Sequence, residues 1–184
     1  MANFGIRDDL ELVLQGQRQQ LRDGGAGVPA TSVVNTGAFI KQVLRRGVLQ
    51  DAEGPSVATE YGFLLPTVND EPGAGFSWAG ILSQRVRYAM AHFNAELAYT
   101  RAHKPGAFLG TILEGPHEWV TRPVMEVTAE QESGGPRTIS RLVGIIWRKQ
   151  DNLSFDIGVR SAHGGEHHVK ELRIGFTWNL TVRK

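Results

Sequence analysis

From Leu172 to Val182 every second residue is apolar: Leu172, Ile174, Phe176, Trp178, Leu180 and Val182. The residues between them are Arg173, Gly175, Thr177, Asn179 and Thr181. Successive side chains of a strand point to opposite faces, so this stretch is a strand with one oily and one wet face. The same alternation recurs at Leu10, Leu12, Leu14 against Glu11 and Gln15, and at Val57, Thr59, Tyr61, Phe63, Leu65 against Ser56, Ala58, Glu60. It returns at Ala91, Phe93, Ala95, Leu97, Tyr99 against His92, Asn94, Glu96, and at Leu153, Phe155, Ile157, Val159 against Ser154, Asp156, Gly158, Arg160. The second strand and the stretch Leu142 to Trp147 are apolar on both faces in places, which leaves their orientation, and the side taken by Arg141, open.

Helical periodicity is weak and Gly, Pro, Asn and Asp punctuate the chain at short intervals, as in an all-β protein. The pattern predicts about ten strands, near 9–20, 32–45, 55–65, 77–87, 91–101, 107–113, 118–129, 138–148, 153–162 and 169–182, with ends set to within ~2–4 residues. The 184 residues fit one domain, 1–184. No run approaches the ~18 apolar residues of a membrane helix.

A soluble sandwich or a lipocalin-like binding module alternates too, with its apolar faces turned inward. Three features favour grease on the outside of a barrel. The predicted strands reach ~10–14 residues, where globular strands average about five or six. With the C-terminus on the periplasmic side, the connections 21–31, 66–76, 102–106, 130–137 and 163–168 fall at one end, and the brief turns Tyr88–Met90 and Lys149–Asn152 at the other, with 46–54 a longer exception. That asymmetry belongs to outer-membrane barrels. Trp78, Trp119, Trp147, Tyr88 and Tyr99 fall near predicted strand ends, where amphipathic rings favour the headgroup level. The fold expected is an antiparallel up-and-down transmembrane β-barrel of about ten strands, or the later portion of a twelve-stranded one.

Several segments resemble the bacterial outer-membrane transporter-like family of the MetA-pathway phenol-degradation type. They are Leu44-Arg-Arg-Gly-Val-Leu-Gln50, Gly54-Pro-Ser-Val-Ala-Thr-Glu60, Gly62-Phe-Leu-Leu-Pro66, Glu114-Gly-Pro-His-Glu-Trp119 with Arg122-Pro-Val, and Leu142-Val-Gly-Ile-Ile-Trp-Arg148. Leu153-Ser-Phe-Asp-Ile-Gly-Val-Arg160 and Glu171-Leu-Arg-Ile-Gly-Phe-Thr-Trp178 resemble its terminal hairpin. The resemblance implies an outer-membrane barrel with passive transport activity and no catalytic residues. It also implies a signal peptide and about two strands ahead of Asn3, so the chain reads as N-terminally shortened. It departs from outer-membrane barrels, which commonly finish on an aromatic residue, by continuing from Trp178 to Lys184.

The 20 Lys+Arg against 19 Asp+Glu give no field that would attract nucleic acid. The absence of cysteine removes disulfides, thiolate metal sites and cysteine nucleophiles. The wet faces place Glu60, Arg85, Arg87, Glu96, Glu126, Asp156, Arg160, Glu171 and Arg173 in the lumen, as a polar constriction that selects solutes or as ion pairs that plug and stiffen it. His163, His167 and His168 around Gly164-Gly165-Glu166 read as an outer turn, since no second ligand set accompanies them, and no metal or cofactor is expected. A barrel-borne lipid hydrolase would need Ser, His and a polar orienter, for which His92, Asn94 and Ser140 or Ser83 are the available residues. The expected partners are outer-membrane lipid and a small solute.

Overall fold

A computed structural model describes residues 1–20, 31–68 and 72–179. Eleven strands form one sheet: β1 (Ala2–Arg7), β2 (Leu10–Gln20), β3 (Thr31–Arg45), β4 (Ser56–Leu64), β5 (Gly75–Val86), β6 (Ala89–Tyr99), β7 (Pro105–Glu114), β8 (Thr121–Glu132), β9 (Thr138–Gln150), β10 (Leu153–Gly164) and β11 (His167–Trp178). Their order in space is their order in sequence, and every neighbouring pair is antiparallel. Apart from one 3-10 turn at Val48–Gln50, no helix occurs among the described residues.

The expected ten strands become eleven. The additional one, β1, holds only Phe4 and Ile6 as large apolar residues and is too short to stand out as a pattern. It is fixed by pairing Ala2–Gly5 with Glu11–Leu14 of β2 across the tight Asp8–Asp9 turn. The predicted sixth strand is longer at both ends than its sequence pattern, and the predicted seventh begins at Thr121 because the residues before it form the 115–120 connection. The expected loop 163–168 is a two-residue turn, Gly165–Glu166, that leaves His163 and His167 in strands. The expected loop 21–31 lies largely outside the described residues, as does the end of the last predicted strand beyond Asn179.

Register assigns every strand to the same two faces. Leu12, Ile40, Tyr61, Trp78 and Leu97 lie directly opposite one another on successive strands, as do Met125, Val143, Val159 and Leu172. The apolar face is therefore continuous from β1 to β11, and it is the uncovered one: Leu97 is 60 %, Val143 63 %, Ile174 73 % and Phe176 68 % exposed. Arg141, left open by the sequence, joins this face between Val127 and Ser161. All described strands belong to one sheet, so no second sheet layer covers the apolar face among them, as a sandwich requires. The enclosed side chains are mostly small and polar, including Ser56, Ser77, Ser83, Thr128 and Ser140, together with Val13, Phe39 and Met90. On that face the Phe39 ring lies over Gly37 and Gly62, where any Cβ would collide with it. Glycine there lets an aromatic ring lie flat on the sheet.

β1 and β11 are the two edges, and they are not paired with each other. The sheet is thus antiparallel and up-and-down, as expected, but it is not closed into the expected barrel.

Candidate functional site on the polar face

Pairing gathers ionisable residues from distant parts of the sequence into one row. Glu11 is opposed to Lys41, Lys41 to Glu60, Glu60 to Ala79, Ala79 to Glu96, Glu96 to Phe108, Phe108 to Glu130, and Glu130 to Thr138. Four carboxylates and one ammonium therefore line a single band across β2 to β8. Beside its far end, the polar face bears an open cleft of about 470 Å³ bordered by Glu96, Thr100, Phe108, Glu130, Glu132 and Thr138. That volume lies within the ~300–1,000 Å³ range of small-molecule pockets. Glu132 is held at its rim by the Thr100 hydroxyl, 2.6 Å away, and by Lys104 Nζ at 3.5 Å.

A second group sits on β10 and β11. Glu171 Oε2 accepts from Arg160 Nη1 at 3.2 Å and from Arg173 Nε at 3.1 Å. Two guidinium groups thus share one carboxylate oxygen, and the trio carries net positive charge opposite in sign to the acidic row. Asp156 lies on the same face, its carboxylate over Gly175, in the space a Cβ at that glycine would fill.

A third group links four strands near the short turns. Ser83 Oγ and His92 Nδ1 are 2.8 Å apart, and His92 Nε2 is 3.8 Å from Glu114 Oε1. Glu114 Oε2 is 3.8 Å from Arg122 Nη2, and Arg122 Nη1 donates to His117 Nδ1 at 2.6 Å. This brings together the Ser83 and His92 that a hydrolase would use. Ser83 is 1 % exposed, however, and its hydroxyl is spent on the ring nitrogen within the sheet. A nucleophile must present its oxygen to substrate. Ser140 is likewise enclosed, 2.6 Å from Thr128 Oγ1. The arrangement ties neighbouring strands together.

Of the residues expected to line a lumen, Glu60, Arg85, Glu96, Glu126, Asp156, Arg160, Glu171 and Arg173 share the polar face by register. Arg87 does not lie on a strand. It occupies the β5–β6 turn at φ 54°, because the strands reverse in two residues and one of them takes the left-handed conformation. The polar face also holds Glu11, Lys41, Glu114, Arg122 and Glu130, which the sequence reading did not single out. Glu11 was visible as a wet-face residue, while Lys41 lay in the strand whose faces were ambiguous. Among the described residues no three His, Asp or Glu side chains converge on a common metal position.

Both ends of the sheet are tied. At the long-loop end, Arg101 donates to the Leu65 and Thr36 carbonyls at 2.8 and 2.6 Å, strapping the β6–β7 turn to β3 and the end of β4. At the short-turn end, Ser56 Oγ bonds the Leu49 amide and Gln50 Oε1, each at 2.9 Å, folding the β3–β4 connection onto β4. No protein-family model, no curated protein and no solved structure matches this chain.

Proposed function

We propose that this chain is a porin-like outer-membrane protein, its sheet closed in lipid as an up-and-down β-barrel that passes small solutes passively through a polar lumen. One observation carries the reading: the apolar face is exposed and the enclosed face is polar, the reverse of a water-soluble protein. Lipid gives that apolar face its natural solvent, and the lumen hydrates the charged groups.

Aromatic side chains support the same orientation. Phe63, Phe76, Trp78 and Tyr99 cluster on the apolar face toward the long-loop end, Trp147 and Trp178 lie on that face toward the short-turn end, and Tyr88 and Trp119 are exposed in the short-turn connections themselves. Two such belts are what an outer-membrane barrel places at its two interfaces. Arg141, Ser161, Lys170, His163 and His168 then stand on the apolar side near the long-loop end, above the hydrocarbon. The segments that resemble the outer-membrane transporter-like family fall on β4, on the β7–β8 connection, on β9 and on the β10–β11 hairpin, and we assign the chain to that kind of protein. The chemistry required is solute passage, with no covalent step and no cofactor.

The test is conductance. Folded protein reconstituted in a planar bilayer should give discrete current steps. Silence in a sample shown to be folded and inserted would defeat the open-lumen reading.

A further inference from the structure

Charge is divided between the two faces by sign. From β4 to β11 every Asp and Glu on a strand lies on the polar face, whereas the charged residues of the apolar face are all cations: Arg141, Lys170, and Lys149, whose Nζ stands 5.9 Å from the Trp147 ring centre. Lys149 marks the short-turn end. Arg141 and Lys170 stand at the long-loop end, on either side of Ser161 in one row, with His163 and His168 in the next row toward the loops. Resting on the barrel reading above, we propose that this patch binds the phosphate groups of a phosphorylated glycolipid in the outer leaflet, with Arg141 and Lys170 as the cations that hold them.

Three observations support this site. The first is its level. Below Arg141–Ser161–Lys170 the same face carries the rows Val143–Val159–Leu172, Ile145–Ile157–Ile174 and Trp147–Phe155–Phe176. Three neighbouring strands therefore turn from apolar to cationic or polar at one row, which in a membrane barrel is where hydrocarbon gives way to headgroups. The second is that the cations are available. Arg141 and Lys170 are exposed, and among the described residues neither has a carboxylate within ion-pair distance. On the opposite face of the same β10–β11 hairpin, Arg160 and Arg173 share Glu171.

The third is spacing. Arg141 and Lys170 lie on strands two apart, with backbones ~9.6 Å from each other and only the small Ser161 between them. The Ser161 hydroxyl is itself engaged, 2.9 Å from His168 Nε2. Two long side chains on flanking strands can close from both sides on an anion seated over that serine. The guanidinium offers a phosphate two parallel N–H donors and the ammonium offers a point charge. The acyl chains of the same lipid would then run down the apolar rows beneath. Phosphate above and hydrocarbon below is the layout of a phosphorylated lipid, and neither a free anion nor a nucleic acid would use the lower half.

The test is native mass spectrometry of the full chain folded in a neutral detergent, with bisphosphorylated lipid A and the same lipid stripped of both phosphates as probes. Each Lys or Arg beside an anionic headgroup strengthens association about fivefold, so Arg141→Gln or Lys170→Gln should weaken lipid A binding about fivefold and the pair together about 30-fold. The charge-keeping exchange of Arg141→Lys with Lys170→Arg should restore it, and Lys149→Gln, at the other end, should leave it unchanged. The single variants keep the result decisive if the double one fails to fold. Equal retention of the phosphorylated and stripped lipids, or a double variant that binds lipid A like the wild type, overturns the site. Displacement of lipid A by inorganic phosphate alone also overturns it, in favour of a free-anion site. Insertion of the wild-type chain into phosphatidylcholine vesicles, read as resistance to carbonate extraction, separates the two levels. A chain that never inserts removes the barrel reading and the site with it, whereas an inserted chain whose lipid A binding ignores both substitutions removes the site alone.

Discussion

At the residue scale, the face a side chain occupies decides what a substitution costs. Ile174 stands on the exposed apolar face and Thr177 on the polar one, only three positions along the same strand. Under the proposed function, charge placed at the first enters hydrocarbon and charge at the second enters a hydrated lumen. Ile174→Arg is expected to destabilise the folded, lipid-embedded protein by ~2–4 kcal/mol, with Thr177→Arg costing much less. Equilibrium unfolding in lipid vesicles measures both, and equal penalties would show that the two faces see the same solvent.

At the element scale, strands bring together what the sequence disperses. Glu60 and Glu96 stand on β4 and β6, one strand apart in a single row, and the row's only cation is Lys41. A carboxylate about 8 Å from a passing ion in water contributes ~0.5 kcal/mol, so removing one changes cation preference about twofold. The double variant Glu60→Gln with Glu96→Gln is therefore expected to lower the cation-to-anion permeability ratio roughly fivefold, read from the reversal potential across a salt gradient. An unchanged ratio would place the conduction path away from this row. The strands themselves were legible from alternation alone wherever one face is uniformly apolar, as on β10 and β11. Alternation is lost where the strand is too short to show it, at β1, and where Gly37 and Ala38 blur the faces of β3. The row was not legible, because a residue's lateral neighbour depends on register, and one slip exchanges its faces. Arg87 stands in the β5–β6 turn, beyond the strand end, for a related reason: polarity marks a wet residue, but only the backbone separates a position on the sheet face from one in a turn.

At the scale of the whole molecule, surface area separates this fold from a compact soluble one. The accessible surface is 12787 Å². A compact monomer of 20.2 kDa exposes about 8,800 Å². Exposed large apolar side chains run across that surface from Phe4 on β1 to Trp178 on β11, whereas soluble monomers tolerate contiguous apolar patches of only a few hundred Å². Such a sheet is expected to stay monomeric and folded only with detergent or lipid. In plain buffer it should aggregate, as light scattering and far-UV circular dichroism would report. A monodisperse, fully β-structured protein in buffer alone would remove the membrane reading.

Local order was already fixed by the amino-acid sequence: an all-β chain, strands of alternating character and the punctuation between them. Each of these follows from the period of two that a strand imposes on its own side chains. Which face is enclosed, how many strands join, which charges meet and which edges remain open were decided by the tertiary structure. Alternation is the same whether oil points in or out, and only the pairing of strands gives the sheet an inside.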